Sequence, residues 1–295
     1  MSRRLMIALA FSLACCGAAF ANAGTDDVIF IPIDATEARP QMELTIDGGP
    51  PLAAIFDTGS IASFANLELA ETIGLPIDGP AEGKLARMGA AFQTTLKNPT
   101  VGGFALPTMS MPVLSVPLPE IAVVFAPEIF NGYYVSIDLA ASQLELRSKS
   151  AHPIPSGVKY DYTPPPFQIA TIPVTIGADA FDGMMDTGSD KALLLPLALA
   201  ESLTLKSPLK QLEGGVRTVH GKAPIPIYEA QIDGVVRVGP LELEDPVVKF
   251  TSVAPRIIVG VPLLRQIAIT LDPEQKRLWV EKTSATTAYH LIGAL

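Results

Sequence analysis

The four-residue string Asp-Thr-Gly-Ser occurs twice in this chain, at Asp57–Ser60 and at Asp186–Ser189. Each copy follows an apolar run, and two similar strand-like segments, Leu44–Ile46 and Val174–Ile176, precede the copies. A given four-letter string arises at roughly one position in 10⁵ with ordinary residue frequencies, so chance explains two copies in matching contexts poorly. The repeat therefore predicts two structurally similar halves.

Further segments match in the same order after each copy. Leu67–Leu75 and Leu197–Leu205 both carry apolar residues at helical spacing, which predicts a short helix following each turn. Ser136–Leu146 and Thr270–Val280 both have the pattern of a strand, a polar turn and a second strand. The two halves thus share one internal order of elements.

The composition favours a folded, mainly β protein. Hydrophobic residues make up 48% of the 295 positions and charged residues 17%, which is too apolar for a disordered chain and long enough for two compact lobes. The 27 prolines and 23 glycines follow no triplet period and suit short strands joined by many turns. A net charge of -9 without a Lys/Arg cluster argues against nucleic acid as a partner.

Residues 1–23 have the pattern of a secretory signal peptide. Arg3 and Arg4 precede the apolar stretch Leu5–Phe20, and Ala21–Ala23 offers a small-x-small cleavage site. We therefore expect an exported protein, periplasmic or secreted, with no integral membrane span in the mature chain. An uncleaved anchor and a lipoprotein attached at Cys15 are the alternatives.

Neither cysteine chemistry nor a histidine zinc site is expected in the mature chain. Both cysteines, Cys15 and Cys16, lie inside the leader, so the mature protein has no disulfide and no thiolate nucleophile. His152, His220 and His290 are too widely spaced for a zinc site. We expect neither a metal nor another cofactor.

The paired motifs, each between an apolar strand and a helix, resemble those of the pepsin-like and retropepsin-like aspartic proteases. The resemblance spans about Val28 to Lys282 and implies a bilobal aspartic-protease (acid protease) fold, with two pseudo-symmetric β-barrel-like lobes and short helices. The expected parts are an N-terminal lobe over 24–147, a Pro-rich linker over 148–165, a C-terminal lobe over 166–282 and a tail over 283–295. The linker can also add a strand beneath both lobes.

The resemblance implies a catalytic pair, Asp57 and Asp186, facing each other across a cleft. Two adjacent carboxyl groups cannot both ionise freely, so the pair shares one proton and can supply both a base and an acid for amide hydrolysis. The neighbouring residues would support the pair: the threonines interlock the turns, the glycines let the backbone approach, and the serines donate hydrogen bonds to the carboxylates. These residues are Thr58, Gly59, Ser60, Thr187, Gly188 and Ser189.

The resemblance also implies a hairpin that covers a polypeptide substrate, which would pair as an added strand. The candidate tips are Met88 and Gly89 in the first half, and Val219, His220 and Gly221 in the second. Which hairpin provides the cover stays open. We expect a single-chain monomer.

The second half matches the family more fully than the first. Ile257–Asp272 resembles the family's apolar-apolar-Gly element, which crosses behind the catalytic turn, with Gly260 as its glycine. The first half has Ala126 at the aligned position. The extra methyl group predicts a local shift in the first half. Two other functions stay open: a peptide-binding protein of the same fold with little or no hydrolysis, and a metal site built from Asp57 and Asp186.

Overall fold

The structure is a computed structural model that describes residues 28–36, 38–81, 90, 92–164, 167–216 and 223–282. The proposed signal peptide and tail lie outside these residues. The described chain is mainly β, as the composition predicted, and its strands form three sheets. Within this part of the chain, no helix combines the length and apolar character needed to cross a bilayer.

The first half, up to Ser148, contains twelve strands, one α-helix and one 3₁₀ helix among the described residues. They are β1 (Val28–Pro32), β2 (Gln41–Thr45), β3 (Leu52–Phe56), β4 (Phe64–Asn66), α1 (Leu67–Ile73), β5 (Gly79–Pro80), β6 (Phe92–Leu96), β7 (Thr100–Val101), β8 (Phe104–Ala105), β9 (Met109–Leu114), β10 (Ile121–Phe125), the 3₁₀ helix Pro127–Phe130, β11 (Tyr133–Asp138) and β12 (Gln143–Ser148).

The second half contains a matching set of elements in the same order. They are β13 (Val158–Asp161), β14 (Thr171–Ile176), β15 (Asp179–Asp186), β16 (Leu193–Pro196), the 3₁₀ helix Leu197–Glu201, β17 (Lys210–Gln211), β18 (Ile227–Gln231), β19 (Val235–Val238), β20 (Leu241–Glu244), β21 (Val247–Thr251), β22 (Ile258–Gly260), α2 (Val261–Leu264), β23 (Ile267–Asp272) and β24 (Arg277–Lys282). The helix predicted after the second turn is thus a short 3₁₀ helix.

Each half forms a nine-stranded sheet, and the two sheets have the same topology. The strand orders are β5-β6-β9-β4-β10-β3-β2-β7-β8 and β17-β18-β21-β16-β22-β15-β14-β19-β20. The lobes differ from the expected β-barrel-like form, because neither sheet closes on itself within the described residues. In the first sheet both edge strands are only two residues long, which offers few hydrogen bonds for closure.

A six-stranded sheet joins the halves, in the order β1-β12-β11-β23-β24-β13. Ser136 pairs with Thr270 at its centre, and their hydroxyl oxygens lie 2.9 Å apart. Strand β13 comes from the expected linker and pairs with β24. Most of the buried apolar residues of both halves form one continuous hydrophobic core that includes this sheet. The two halves therefore fold against each other as one packed body.

One buried strand in each half holds the Asp-Thr-Gly turn in place. Strand β10 lies between β3 and β4, parallel to the former and antiparallel to the latter. Strand β22 lies in the same way between β15 and β16. All five residues of β10 are apolar and buried, as expected for a strand covered on both faces. Each turn thus leaves the end of a strand that is fixed by the core.

The turns differ in length, and this difference explains Gly260. Phe64 pairs with Val124 as Leu194 pairs with Ile258, yet Phe64 is the seventh residue after Asp57 and Leu194 the eighth after Asp186. The longer second turn brings backbone carbonyl oxygens close to the Cα atom of Gly260. A Cβ atom at Gly260 would lie 2.6 Å from the carbonyl oxygen of Ser189 and closer still to that of Lys191.

The shorter first turn leaves room for the Ala126 methyl group, which is fully buried. The Ala126 N–H donates to the hydroxyl of Ser63 (3.0 Å), whereas the Gly260 N–H donates to the backbone carbonyl of Ala192 (3.1 Å). The Ser63 N–H donates in turn to the Glu128 carboxylate (3.1 Å). The predicted local shift is therefore a shorter turn with a side-chain hydrogen bond in place of a backbone one.

We predict that Gly260→Ala lowers the free energy of unfolding by about 2–3 kcal/mol, because the new methyl group overlaps backbone atoms that cannot move independently. The matched change Ala126→Gly should cost only about 1 kcal/mol, from chain entropy and the loss of one methyl group. Urea denaturation of both variants measures the difference. Equal losses would contradict the role given to the turn lengths.

Candidate active site

The two Asp-Thr-Gly turns meet at the boundary between the halves, where each glycine packs against the other turn's carboxyl group. A Cβ atom at Gly59 would lie 2.7 Å from Cγ of Asp186. A Cβ atom at Gly188 would lie 2.8 Å from Cγ of Asp57. Such distances are too short for real Cβ contacts, so only glycine permits this approach at either position. The contact is reciprocal and brings the two carboxyl groups into one site.

Thr58 and Thr187 cross-link the turns through hydrogen bonds to the opposite backbone. The Thr58 hydroxyl donates to the carbonyl of Met185 (2.8 Å) and accepts from the N–H of Thr187 (3.1 Å). The Thr187 hydroxyl donates to the carbonyl of Phe56 and accepts from the N–H of Thr58 (3.0 Å). Both threonines are buried, at 2% and 1% exposure, so these hydrogen bonds are shielded from water. Each threonine thus links its own turn to the backbone of the other turn.

The surroundings of the carboxyl groups favour their protonated form. Burial raises the pKa of Asp57, and the hydrogen bond from the Gly59 N–H (2.8 Å to Oδ1) opposes this only in part. Burial also raises the pKa of Asp186 well above its usual value, and the charge of Asp57 raises it further. The N–H of Gly188 faces both groups and acts to lower both pKa values. The pair therefore holds a proton at a pH where ordinary aspartates are ionised.

The two serine hydroxyls support the turns and, within the described residues, do not donate to the carboxylates, which corrects the role expected for them. The Ser60 hydroxyl donates to the carbonyl of Ala62 (2.8 Å), and the Ser189 hydroxyl accepts from the N–H of Lys191 (3.3 Å). In the part of the chain that the structure describes, neither hydroxyl donates to Asp57 or Asp186. Both side chains close the tight loop that follows their own motif, and the glycine N–H groups serve the carboxylates.

Arg39 approaches the second turn from the first half, and no motif in the sequence indicated it. Its Nε donates to the carbonyl of Gly188 (2.7 Å), and its Nη2 lies 3.8 Å from a carboxylate oxygen of Asp190. Lys191 binds the other oxygen of Asp190 (2.6 Å). Burial raises the pKa of Asp190, but the hydrogen bond and charge of Lys191, with the charge of Arg39, outweigh it and lower the pKa. The charge of Arg39 also opposes the rise in the pKa of Asp186.

Asp57 and Asp186, the dyad, line a cleft of about 1220 Å³ between the halves. Its walls are largely apolar, and two of the lining side chains, Ile61 and Phe167, are 44% and 55% exposed. Each half also presents a small apolar cluster of its own to the cleft, one around Ile55 and Val124 and one around Leu194 and Ile227. The cleft can therefore hold a chain with apolar side chains next to the carboxyl groups.

The hairpin of the second half borders this cleft. Val216 and Ile225 form an isolated β-bridge at its stem, and Leu212, Gly215 and Val216 line the cleft. The predicted hairpin tips lie outside the described residues. They are Met88, Gly89, Val219, His220 and Gly221.

Among the residues that the structure describes, metal-ligating side chains do not gather at the two carboxyl groups. Across the described ranges, no group of three or more His, Cys, Asp or Glu side chains is arranged to hold a metal ion. The expectation that the protein uses no metal stays a prediction.

We predict that Thr58→Val lowers the free energy of unfolding by about 2–4 kcal/mol. The change leaves the Met185 carbonyl and the Thr187 N–H buried without the partner that Thr58 provides. Thr58→Ser keeps the hydroxyl and should cost about 1 kcal/mol or less. Chemical denaturation of both variants tests this, and a loss as large for the serine variant would show that the methyl group, not the hydroxyl, matters.

We predict that Asp186→Asn raises the free energy of unfolding at pH 7 by about 1–3 kcal/mol, since it removes a carboxyl group whose charged form is poorly solvated. The folded dyad keeps a proton that the unfolded carboxyls release above about pH 4, so wild-type stability falls as the pH rises through the raised native pKa values. The variant should show a flatter dependence.

Asp190→Asn is the control of opposite sign. Its native pKa is lowered, so the Asp190 carboxylate contributes stability above the unfolded pKa, and that stability is lost as the pH falls through the native pKa. Unfolding measured from pH 4 to 8 compares the variants. A loss of stability at pH 7 in Asp186→Asn would contradict the assignment of a strained, proton-sharing pair.

The site thus consists of two carboxyl groups held by glycine contacts and crossed threonine hydrogen bonds at the floor of an apolar cleft. A scan of the chain against models of protein families finds no match, and a search of curated proteins finds none either. The basis for a functional proposal is therefore the geometry and protonation of Asp57 and Asp186.

Proposed function

We propose that this protein is an aspartic-type endopeptidase that hydrolyses peptide bonds with a water molecule activated by Asp57 and Asp186. The observation that carries the proposal is the reciprocal contact of each Asp-Thr-Gly glycine with the other turn's carboxyl group. This contact forces two partly buried carboxyl groups into one site, and both have raised pKa values. Structural turns of the same sequence on a protein surface would have no reason to meet.

We also propose that the fold is the bilobal acid-protease fold. Its support is the equal strand order of the two nine-stranded sheets and the six-stranded sheet shared by both halves. The crossing of β10 and β22 behind the two turns, and the threonine cross-links between them, are further support. In such a fold each lobe contributes one carboxyl group, so the active site exists only when both lobes are packed together.

The protonation of the pair suits it to acid–base catalysis. The ionised carboxyl group takes a proton from water as the water oxygen bonds to the amide carbon, and the protonated group hydrogen-bonds to the carbonyl oxygen. Collapse of the tetrahedral intermediate breaks the C–N bond while a carboxyl group gives its proton to the leaving nitrogen. One proton enters the pair from water and one leaves with the amine, so the pair returns to its starting state.

The cleft supports a polypeptide as the substrate. Apolar side chains from both halves line it on either side of the dyad, and a volume of about 1220 Å³ exceeds that of a small-molecule site. The hairpin stem at Val216 and Ile225 lies at its border, where an extended peptide can pair as an added strand. The signal-like residues 1–23 favour action outside the cytoplasm.

We predict that Asp57→Asn and Asp186→Asn each reduce kcat/KM for peptide cleavage by about 10³-fold or more, because an amide cannot take or give the proton. The mature chain is incubated with a mixed peptide library at several pH values, and the products are identified by mass spectrometry. Asp182→Asn, an exposed change on the same strand as Asp186, is the control and should keep wild-type activity.

Cleavage that both active-site variants retain would refute the catalytic role of the pair. Inhibition by a chelator would favour the metal-site alternative, whereas the dyad mechanism expects inhibition by a hydroxyl-bearing transition-state analogue. Tight peptide binding with no cleavage by the wild type at any pH would assign the protein to the peptide-binding alternative.

A further inference from the structure

The cleft face of the second half carries a row of neighbouring side chains that begins at its outer edge with charged residues. Lys210 pairs with Glu229, and Glu229 pairs with Lys249 on the next strand. Lys249 pairs in turn with Leu194, and Leu194 with Ile258. Directly opposed residues point to the same face of a sheet, so all five side chains lie on one face. Lys249, Leu194 and Ile258 line the cleft.

The first half has an uncharged row at the equivalent place. Ala65 pairs with Val113 as Leu195 pairs with Phe250, which makes Pro112 the counterpart of Lys249. Pro112 pairs with Gln93, and Gln93 with Gly79. The first half thus has glycine, glutamine and proline where the second has lysine, glutamate and lysine. The two sides of the cleft are alike in backbone and unlike in charge.

Lys249 is the member of the charged row that faces the cleft. It lines the cleft and is half-buried, whereas Lys210 is exposed and does not line the cleft. Among the residues that the structure describes, no carboxylate forms an ion pair with Lys249 within 4 Å, and its neighbour Glu229 also has Lys210 on its other side. The cation at the cleft wall is therefore not neutralised by a dedicated partner.

The other cations of the cleft are already engaged. Arg39 and Lys191 both bind Asp190, and Arg39 also donates to the backbone of the second catalytic turn. The carboxylate Glu213 also lines the cleft, but it is exposed on the hairpin stem and forms no ion pair with Lys249 among the described residues. Lys249 is thus the cleft cation with charge available for a bound chain within the described residues.

We infer that Lys249 is a specificity-determining residue that binds a carboxylate of the substrate, two or three residues from the bond that is cleaved. The inference rests on the proposed peptidase function and adds the substrate class: peptides with an acidic group on the side of the second half. Strand β21 is three strands from β15, which corresponds to roughly 14 Å. A lysine side chain that leans towards the carboxyl groups covers up to ~6 Å of this distance. The remaining ~8 Å corresponds to two or three residues of an extended peptide at ~3.4 Å each. An apolar side chain of the substrate meets the uncharged first half.

The carboxylate can belong to an Asp or Glu side chain or to the end of the peptide chain. Both have the same charge and the same acceptor geometry, so Lys249 binds either one with similar contacts. An internal acidic residue makes the enzyme an endopeptidase with a preference for acidic sequences. A terminal carboxylate makes it an enzyme that trims short peptides from an end.

The test uses the mature chain and fluorogenic peptides that carry Glu, Gln or Lys at each of three positions on either side of the cleaved bond. At one position, wild type should cleave the Glu peptide with a kcat/KM about tenfold above that of the Gln peptide. Lys249→Met should remove this preference, and Lys249→Glu should reverse it in favour of Lys. Lys210→Met removes a charge from the same row away from the cleft and should keep the wild-type preference.

Peptides ending in a free carboxylate or in an amide, with no internal acid, identify the source of the carboxylate. Binding of the Glu and Gln peptides to the Asp57→Asn variant, followed by fluorescence anisotropy, tests Lys249 without any need for cleavage. Equal binding of Glu, Gln, Lys and terminal-acid peptides would overturn the inference, even if the wild type proves an active peptidase. A preference that Lys249→Met abolishes would support it even if the wild type proves a binding protein.

Discussion

The reciprocal contact between the two Asp-Thr-Gly turns is the constraint around which the molecule is arranged. Each glycine touches the carboxyl group of the other turn, and each threonine hydroxyl bonds to the other turn's backbone. These contacts require the two halves to meet in one relative position. The six-stranded sheet, with Ser136 paired to Thr270 at its centre, also joins strands of the two halves.

That arrangement has an energetic cost, which raises the pKa values of both carboxyl groups. Two carboxyl groups are brought together in surroundings that solvate their charges poorly, so the folded protein holds a proton that free aspartates would release. Hydrophobic core on both sides and the buried threonine bonds stabilise the site against this cost. A pair that holds one proton at moderate pH can both accept and donate, which is what amide hydrolysis requires.

The halves share the same strand order and differ in turn length and in charge. The first turn is one residue shorter, which is why Ala126 fits where the second half needs Gly260. The charges also differ between the halves: Arg39 and Asp190 form an ion pair beside the second turn, and Lys249 has an uncharged counterpart in Pro112. For the proposed function this difference matters, because an extended peptide has distinct ends and an unequal cleft can favour one direction of binding.

The sequence by itself determined the mainly β class, the repeat and the identity of the two aspartates. These are local properties, since the motif, the apolar runs and the helical spacing after it are all read within a few residues. The sequence also indicated the strand pairs at Ser136–Leu146 and Thr270–Val280 and the crossing strand that ends at Gly260.

Only the tertiary structure decided which distant residues share the site. Arg39 lies 149 positions from the carbonyl it binds, and neither spacing nor composition marks it. The serine hydroxyls form hydrogen bonds within their own loops, and backbone N–H groups, such as that of Gly59, donate to the carboxylates instead. The open sheets and the position of Lys249 on the cleft face follow from strand register, which depends on pairings between segments far apart in the chain. Such pairings are set by the packing of the whole core and leave no signal in any short stretch of sequence.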